Sequence, residues 1–383
     1  MAKLPAPLVG EAHELVNLRG LEQLLTGMRL DALVCRSGMN VIYLSSIGAP
    51  GTLGRHLDLA ETPRETFVVW PRSGEGCVVL SDIASHLARA TSRIRQFEVY
   101  QDYADSPEAA LARVLRRTGL AKARVGFDLA WFSARRWSEL LFLVPDLQPV
   151  DCTDELDLVR AIKTTAEIEQ LRRAASVLDR TFMDVFPTIR PGDSERMVHA
   201  RLSARAIELG VSSIHGILQA SSNPLLYGGE SNVQLSTGDL VRTDYVAYVN
   251  EYSANLSRLL SIGRPSASVV DKYAIYLDIY RKAVDLLRPG AVGAEIHRAI
   301  RGLFEKRGWE AGPPISGHGI GTWFHQQRPF LVESSTDVLQ PGMVVAIEPI
   351  SGHWHIQDEY LITEGAPERI SDSFDIEVLP WTE

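Results

Sequence analysis

The chain has 383 residues, of which 45% are apolar, and this suffices for about two ordinary folded domains without any compositional sign of disorder. Its 39 basic and 48 acidic residues give a net charge of −9, which argues against nucleic-acid backbones as partners. Three cysteines lie far apart and cannot all pair, so we expect buried thiols in a reducing compartment. Without a secretory signal or a long apolar run, the protein is expected to be cytoplasmic and to have no membrane partner.

The N-terminal part alternates strand-like and helix-like patterns. Strands are predicted over 31–36, 65–70 and 76–80, and helices over 83–90, 106–117 and 133–143. A capping box formed by Thr164 and Glu167 then begins a new amphipathic helix, which must end before Pro187. The pattern predicts an α/β domain over residues 1–155 and a second domain over residues 160–383.

The second half contains an internal repeat. Segments 191–210 and 289–308 both begin with Pro-Gly and end with glycine, and they are 98 residues apart. A spacing of 104 residues relates the strand-like segment that ends at Asp244 to the one that ends at Glu348. Each copy is therefore predicted to contain a helix and then a strand with a carboxylate at its end.

Each of these strands is predicted to turn back as a hairpin. A turn at residues 249–250 would place Asp244 opposite Asn255, and the corresponding turn in the second copy would place Glu348 opposite Gln357. If the two copies pack about a pseudo-twofold axis, the four polar side chains meet in one cleft.

Four stretches carry a resemblance to a known family. They are Gly-Asp-Leu-Val-Arg-Thr-Asp at 238–244, Gly-His-Gly-Ile-Gly at 317–321 with His325 beyond it, Pro-Gly-Met-Val-Val-Ala-Ile-Glu-Pro at 341–349, and Asp-Glu-Tyr-Leu-Ile-Thr-Glu-Gly at 358–365. In this order they resemble the two-domain branch of the pita-bread family, which includes methionine aminopeptidase, prolidase, Xaa-Pro aminopeptidase and creatinase. The resemblance implies an α/β, ribonuclease H-like N-terminal domain of the creatinase type and an α+β pita-bread C-terminal domain built from an internal duplication.

The resemblance also implies a set of metal-binding positions. In the metallopeptidase branch two divalent ions are held by five side chains, which correspond by motif position to Asp244, Asn255, His318, Glu348 and Gln357. Two of the five are carboxamides here instead of carboxylates, and two dications need several anionic oxygens. We therefore expect no metal ligands and no cofactor. The alternative that keeps a metal is one divalent ion on Asp244, His318 and Glu348.

Creatinase is the metal-free enzyme of this family. The comparison favours a metal-independent, creatinase-like hydrolase that cleaves a C–N bond in a small amino-acid-like substrate. His318 and Glu348 are predicted to move protons, and the resemblance implies that His325 orients a substrate carbonyl. Tyr227 occupies the position of creatinase's catalytic histidine and completes the predicted catalytic set.

The predicted substrate-binding residues lie on both hairpins. Asp244 and Asn255 come from the first copy and Gln357 from the second, and strand alternation adds His355 and Glu359 to the same face. The family branch implies a homodimer. We expect a small-molecule substrate and, from the net negative charge, no nucleic-acid partner.

Three other functions stay open on the sequence. They are a metal-dependent Xaa-Pro aminopeptidase or prolidase with a mononuclear site, a lyase or cyclase on the same scaffold, and a catalytically inactive binding protein. The pair His353 and His355 also has the look of a metal or aromatic-box feature, although a hairpin tip favours exposed turn residues. The metal content of the purified protein separates these alternatives most directly.

Overall fold

The computed structural model describes residues 15–47, 59, 61–225 and 231–383. The chain divides into two compact units, Met1–Arg160 and Ala161–Glu383. Within the described ranges, no helix combines the length and the apolar character that crossing a membrane requires. All three cysteines are buried free thiols.

The N-terminal unit is built on a six-stranded mixed sheet. Its strands are β1 (Ala32–Cys35), β2 (Phe67–Pro71), β3 (Cys77–Ser81), β4 (Gln96–Tyr100), β5 (Arg124–Phe127) and β6 (Gln148–Asp151). Its helices are α1 (Leu18–Gly27), α2 (Gly38–Ser45), α3 (Asp82–Thr91), α4 (Pro107–Arg117), α5 (Ala134–Leu143) and α6 (Thr153–Ala161). The strand order is β4-β3-β2-β1-β5-β6, in which β2 runs antiparallel to both of its neighbours.

The predicted elements of this unit are present. Strands β1, β2 and β3 cover the three predicted runs, and helices α3, α4 and α5 cover the three predicted helices. Val34, Val79 and Phe127 are among the buried core residues of the sheet, because apolar side chains on strands covered by helices leave water together. This is the predicted α/β class.

Among its described residues, the C-terminal unit contains two larger sheets and four α-helices. Its helices are α7 (Thr165–Val185), α8 (Glu195–Glu208), α9 (Ala267–Val284) and α10 (Gly293–Glu305). Its strands are β7 (Ser213–Ala220), β8 (Leu240–Val249), β9 (Tyr252–Leu256), β10 (Leu259–Ser261), β11 (Ile315–Gly319), β12 (Gln327–Val332), β13 (Val344–Ile347), β14 (Ile350–Ser351), β15 (Trp354–His355), β16 (Asp358–Leu361) and β17 (Glu368–Arg369). One sheet has the order β10-β8-β7, with β9 also paired to β8, and the other has the order β12-β11-β13-β16-β17.

The internal duplication is confirmed by this element order. The series α7, α8, β7, β8 and β9 recurs as α9, α10, β11, β13 and β16, with β12, β14 and β15 inserted. Gly238 and Gly342, which precede β8 and β13, both adopt positive φ values, 97° and 88°. That backbone region favours glycine, so the two positions have the same role in the two copies. The predicted capping box of Thr164 and Glu167 is also present, at the start of α7.

A buried ion cluster holds the two sheets together beside the site. Arg258 is 0% exposed and forms ion pairs with Asp179 of α7 and Asp358 of β16. Its guanidinium also donates to the main-chain carbonyl of Gln357 at 2.8 Å, next to the bridge between Ser257 and Gln357 that connects the sheets. The cluster therefore fixes the backbone at the point where the two hairpins meet.

Candidate active site

The first hairpin carries Asp244 on β8 and Asn255 on β9. Its turn lies at Asn250 and Glu251, and Asn255 pairs with Val246, so the predicted register was wrong by two residues. A shift of two residues leaves every side chain on its own face of the sheet, because side chains alternate with period two. Asn255 Nδ2 therefore still donates to Asp244 Oδ1, at 2.9 Å.

The second hairpin has the predicted register. Ile347 pairs with Asp358, and the next residues along the two strands, Glu348 and Gln357, stand across from each other. Both side chains are buried, and the bridge between Gln357 and the first hairpin brings the two polar pairs together.

His318 is enclosed by the two carboxamides that replace ligand carboxylates. Gln357 Nε2 donates to Asn255 Oδ1 at 2.9 Å, and Ser257 Oγ donates to Gln357 Oε1 at 3.3 Å. His318 Nε2 lies 3.1 Å from Asn255 Oδ1 and 3.4 Å from Gln357 Nε2. Its Nδ1 donates to the carbonyl oxygen of Gly319 at 2.9 Å. Because burial lowers the pKa of His318 to about 4, its ring is neutral at pH 7. With its proton on Nδ1, the lone pair of Nε2 can accept a hydrogen bond from Gln357 Nε2 but not from Asn255 Oδ1.

His355, and not His318, lies beside the two carboxylates of the cleft, Asp244 and Glu348. Ligand atoms of Asp244, Glu348 and His355 all lie within 4.8 Å of one another. His355 Nε2 lies 3.6 Å from Glu348 Oε2. Glu348 Oε1 and both ring nitrogens of His355 are buried and have no hydrogen-bond partner among the described residues. We refer to these three residues as the acid–histidine triad.

The charges in this triad suit a cation. Burial, followed by the negative charge of Asp244, raises the pKa of Glu348 well above its usual range. Burial also raises the pKa of Asp244, although the hydrogen bond from Asn255 opposes this. For His355, burial and then the positive charge of Arg242 lower the pKa, so the imidazole is neutral and keeps a lone pair. Two carboxylates and a neutral imidazole with unsatisfied atoms are a donor set that fits one divalent ion.

Glu359, on β16, hydrogen-bonds to the backbone of the first hairpin. Its Oε1 accepts a hydrogen bond from the backbone N–H of Asn255 at 2.8 Å, while its buried Oε2 lacks a partner in the described part of the chain. Burial raises its pKa well above the usual range, despite that hydrogen bond. Gln357 and Glu359 thus both contact Asn255, in agreement with the single polar face predicted from strand alternation.

Beyond His318 lies a group of rings. His325 packs edge-on against His318, with the ring centroids 5.6 Å apart, and lies 5.7 Å from His215 and 5.3 Å from Phe324. His215 contacts Tyr248, which in turn contacts Trp323. We call His215, Tyr248, Trp323, Phe324 and His325 the ring cluster.

The structure brings most of the predicted site residues together. Asp244, Asn255, His318, Glu348 and Gln357 form one connected cluster, with Glu359, His355 and His325 at its borders. Tyr227, predicted as a catalytic residue, lies outside the described residues. The roles assigned to all these residues stay predictions.

The acid–histidine triad differs in its histidine from the set predicted for a single ion, Asp244, His318 and Glu348. His318 Nε2 lies 4.0 Å from Glu348 Oε1 but faces the carboxamides, and His355 takes its place in the compact triad. The pair His353 and His355 was the available signal, and the expectation of exposed turn residues was wrong for His355, which is fully buried. Sequence reasoning also missed His215, for which no motif gave a signal.

A creatinase-type α/β unit followed by a duplicated α+β unit around an acid, amide and imidazole cluster defines a pita-bread protein. Residues 169–367 match metallopeptidase family M24, and residues 18–162 match the creatinase/prolidase N-terminal domain. The first match alone spans more than half of the chain, so the chain belongs to metallopeptidase family M24.

Several relatives are similar along the sequence or in structure. An uncharacterized peptidase, YqhT, from Bacillus subtilis is 26% identical over 367 residues, which cover 94% of this chain and 98% of the relative. Probable dipeptidase PepE from Mycobacterium tuberculosis is 31% identical over 227 residues, or 56% of this chain and 60% of the relative. The solved structure of dipeptidase PepE from Mycobacterium ulcerans has a TM-score of 0.76 at 26% identity, over 98% of this chain and 100% of that one. Xaa-Pro dipeptidase from Bacillus anthracis has a TM-score of 0.78 at 22% identity, over 97% and 100%, and supports the fold.

These findings contradict the predicted metal-independent, creatinase-like hydrolase. The family is a metallopeptidase family, and the relatives are named as peptidases and dipeptidases. The prediction failed because it counted only the five inherited ligand positions, whereas the structure adds His355 beside Asp244 and Glu348. The alternative, a metal-dependent Xaa-Pro peptidase with a mononuclear site, agrees better with the comparisons.

Proposed function

We propose that this protein is a divalent-metal-dependent peptidase that hydrolyses dipeptides, and that it holds a single ion on Asp244, Glu348 and His355. The observation that carries the proposal is the acid–histidine triad itself. Its ligand atoms lie within 4.8 Å of one another, and Glu348 Oε1 and both ring nitrogens of His355 are buried without a hydrogen-bond partner within the described ranges. Buried polar atoms in native proteins normally have hydrogen-bond partners, so these unpartnered atoms indicate a site for a bound ligand.

The carboxamides explain why one ion is proposed instead of two. The Asn255 and Gln357 amides are neutral; Gln357 donates a hydrogen bond to Asn255, which donates one to Asp244. A second dication beside them would find too few anionic oxygens to offset its loss of hydration. One ion near the triad, by contrast, removes the repulsion between Asp244 and Glu348.

The chain's own groups can assist peptide hydrolysis. A bound divalent ion would supply Lewis acidity toward the peptide carbonyl oxygen. Glu348 has one oxygen toward His355 and a second, Oε1, without a partner among the described groups. This unpartnered oxygen can accept a proton from the attacking water and return it to the leaving amine. His325, whose buried Nδ1 has no partner in the described ranges, can hydrogen-bond to the substrate.

The dipeptide substrate is proposed from the relatives. A relative covering part of this chain and a solved structure covering nearly all of it are both named as dipeptidase PepE. Glycyl-proline, alanyl-proline and alanyl-alanine are the substrates to assay first, since they separate an Xaa-Pro preference from a general dipeptidase activity.

The experiment compares metal-free and reconstituted protein. After dialysis against a chelator, hydrolysis of these dipeptides should fall by more than about 100-fold and return with one equivalent of Mn²⁺, Co²⁺ or Zn²⁺. Chelator-treated protein given excess Mg²⁺ serves as a control for nonspecific salt effects. Full hydrolysis by metal-free protein would refute the metal requirement. Binding of the ion without hydrolysis of any dipeptide would refute the peptidase.

A further inference from the structure

The ring cluster is a wall of aromatic side chains that is connected to the acid–histidine triad through His318 and Asn255. His325 contacts His318, whose Nε2 lies 3.1 Å from Asn255 Oδ1, and Asn255 in turn donates to Asp244. His318 and Asn255 are therefore the side chains that lie between the rings and the triad. Phe324 is 45% exposed and His215 is also exposed, so the cluster offers ring surface to a ligand.

The wall is held by main-chain and side-chain hydrogen bonds. The Trp323 N–H donates to the carbonyl oxygen of Glu251, in the turn of the first hairpin, at 2.9 Å. Gln327 Nε2 donates to the carbonyl oxygens of Thr322 and Phe324, each at 2.7 Å. These bonds fix the ring positions before a ligand arrives, which lowers the ordering cost of binding.

The two histidines of the wall are uncharged at neutral pH. Desolvation by its neighbours lowers the pKa of His215, although part of this side chain is exposed. For His325, burial, followed by the neighbouring His318 and His215, lowers the pKa to about 3. The surface therefore consists of neutral π faces and edges, with ring contacts of 5.3 to 6.4 Å between neighbours. Such surfaces favour another neutral ring in stacked or edge-on contact.

We propose that the ring cluster is the subsite for an aromatic side chain of the dipeptide substrate. The inference rests on the proposed peptidase function and adds a substrate class to it. Trp323, Phe324 and His215 are the specificity-determining residues. At one of the two substrate positions, phenylalanine or tyrosine should give a higher kcat/KM than alanine. Lysine at that position should not give a comparable increase.

The first experiment measures kcat/KM on paired substrates. Phe-Pro, Lys-Pro and Ala-Pro vary the first position, and Ala-Phe, Ala-Lys and Ala-Ala vary the second. At one position the aromatic substrate should exceed its alanine counterpart by about tenfold, mainly through KM. Phe324→Ala and His215→Ala should each reduce this ratio about fivefold. The matched control is Phe142→Ala, which removes a phenylalanine that is 85% exposed on α5 and should leave the ratio unchanged.

A second experiment separates this inference from the proposed function. Phe-Ala, Ala-Phe and Ala-Ala analogues with a reduced, uncleavable peptide bond are titrated into the protein by calorimetry. Tighter binding of an aromatic analogue, weakened in Phe324→Ala and kept in Phe142→Ala, supports the subsite even if no dipeptide is hydrolysed. Hydrolysis without aromatic preference, a stronger preference for lysine, or equal effects of Phe324→Ala and Phe142→Ala would overturn the subsite and leave the peptidase proposal standing.

Discussion

Two buried carboxylates of the second repeat have opposite surroundings: Glu348, which directly follows β13, and Asp358, which begins the paired strand β16. Glu348 has one oxygen near His355 and another without any partner in the described part of the chain. Both oxygens of Asp358 accept hydrogen bonds. The donors to Asp358 are Arg258, Arg369, Tyr280 and Ser371.

The pKa directions follow these surroundings. Burial would raise the pKa of Asp358, but the charges of Arg258 and Arg369 lower it below its usual value. Glu348 has no such cation, and both its burial and the charge of Asp244 raise its pKa. We call Asp358 the matched carboxylate, because the protein's own cations and donors bind it and it stabilises the fold. We call Glu348 the unmatched carboxylate, because it lacks such partners at a cost to stability and a bound cation can supply them.

The largest expected effect is the loss of the cation that matches Asp358. Arg258→Met leaves Asp179 and Asp358 buried without their main partner and should lower the free energy of unfolding by about 3–5 kcal/mol. Urea unfolding monitored by circular dichroism measures the change. Arg281→Ala, which breaks an exposed ion pair with Glu377, is the control and should cost less than about 1 kcal/mol. A similar small loss in both variants would show that the Arg258 cluster does not support the fold.

The unmatched carboxylate should behave in the opposite way. Glu348→Gln removes a buried acid that lacks partners and should raise the free energy of unfolding of the metal-free protein by about 1–3 kcal/mol at pH 8. It should also weaken metal binding. Glu333→Gln, at an exposed acid paired with Arg298, is the control and should change stability by less than about 0.5 kcal/mol.

The gain from Glu348→Gln should depend on pH. The folded protein holds the Glu348 proton more tightly than the unfolded chain, whose carboxyl titrates near the ordinary value of 4.5. The stability of the native protein relative to Glu348→Gln therefore falls as the pH rises above that value. Urea unfolding at pH 4.5, 6 and 8 should show the difference growing. A difference that shrinks with rising pH would contradict the unmatched state of Glu348.

The smallest expected effect concerns one hydrogen bond of the matched carboxylate. Tyr280→Phe removes the hydroxyl that donates to Asp358 Oδ2 at 2.8 Å, while the other donors to Asp358 remain. We expect a loss of about 1 kcal/mol in the free energy of unfolding. Tyr103→Phe, at an exposed tyrosine, provides the baseline. A loss as large as that of Arg258→Met would mean that hydrogen bonding, and not charge, holds the cluster.

Much of the fold could be predicted because the signals were local or repeated. The capping box at Thr164 and the repeated Pro-Gly and glycine positions report backbone requirements that do not depend on distant residues. The register of the first hairpin could not be predicted in the same way. Its turn uses Asn250 and Glu251 at positive φ, and glutamate is an unexpected residue there. The predicted residues Asp244 and Asn255 nevertheless meet, because a shift of two residues keeps each side chain on the same face of its strand.

The identity of the third triad residue could not be read from the sequence. His318 belongs to the recognisable glycine-rich motif, but its environment depends on Asn255 and Gln357, which are distant in the chain. His355 follows a hairpin tip, and only tertiary packing shows that it is buried beside Glu348. The ring cluster likewise joins residues from β7, β8 and the segment between β11 and β12, which no local pattern connects.

The central claim is that one ion is bound, and that His355, not His318, is its histidine ligand. The most direct test is calorimetric titration of Mn²⁺ or Zn²⁺ into metal-free native protein, His355→Ala and His318→Ala, with the bound metal counted by elemental analysis. We predict one ion per chain in the native protein and in His318→Ala, and loss of that ion in His355→Ala. Two ions in the native protein, or binding that survives in His355→Ala and disappears in His318→Ala, would contradict this account.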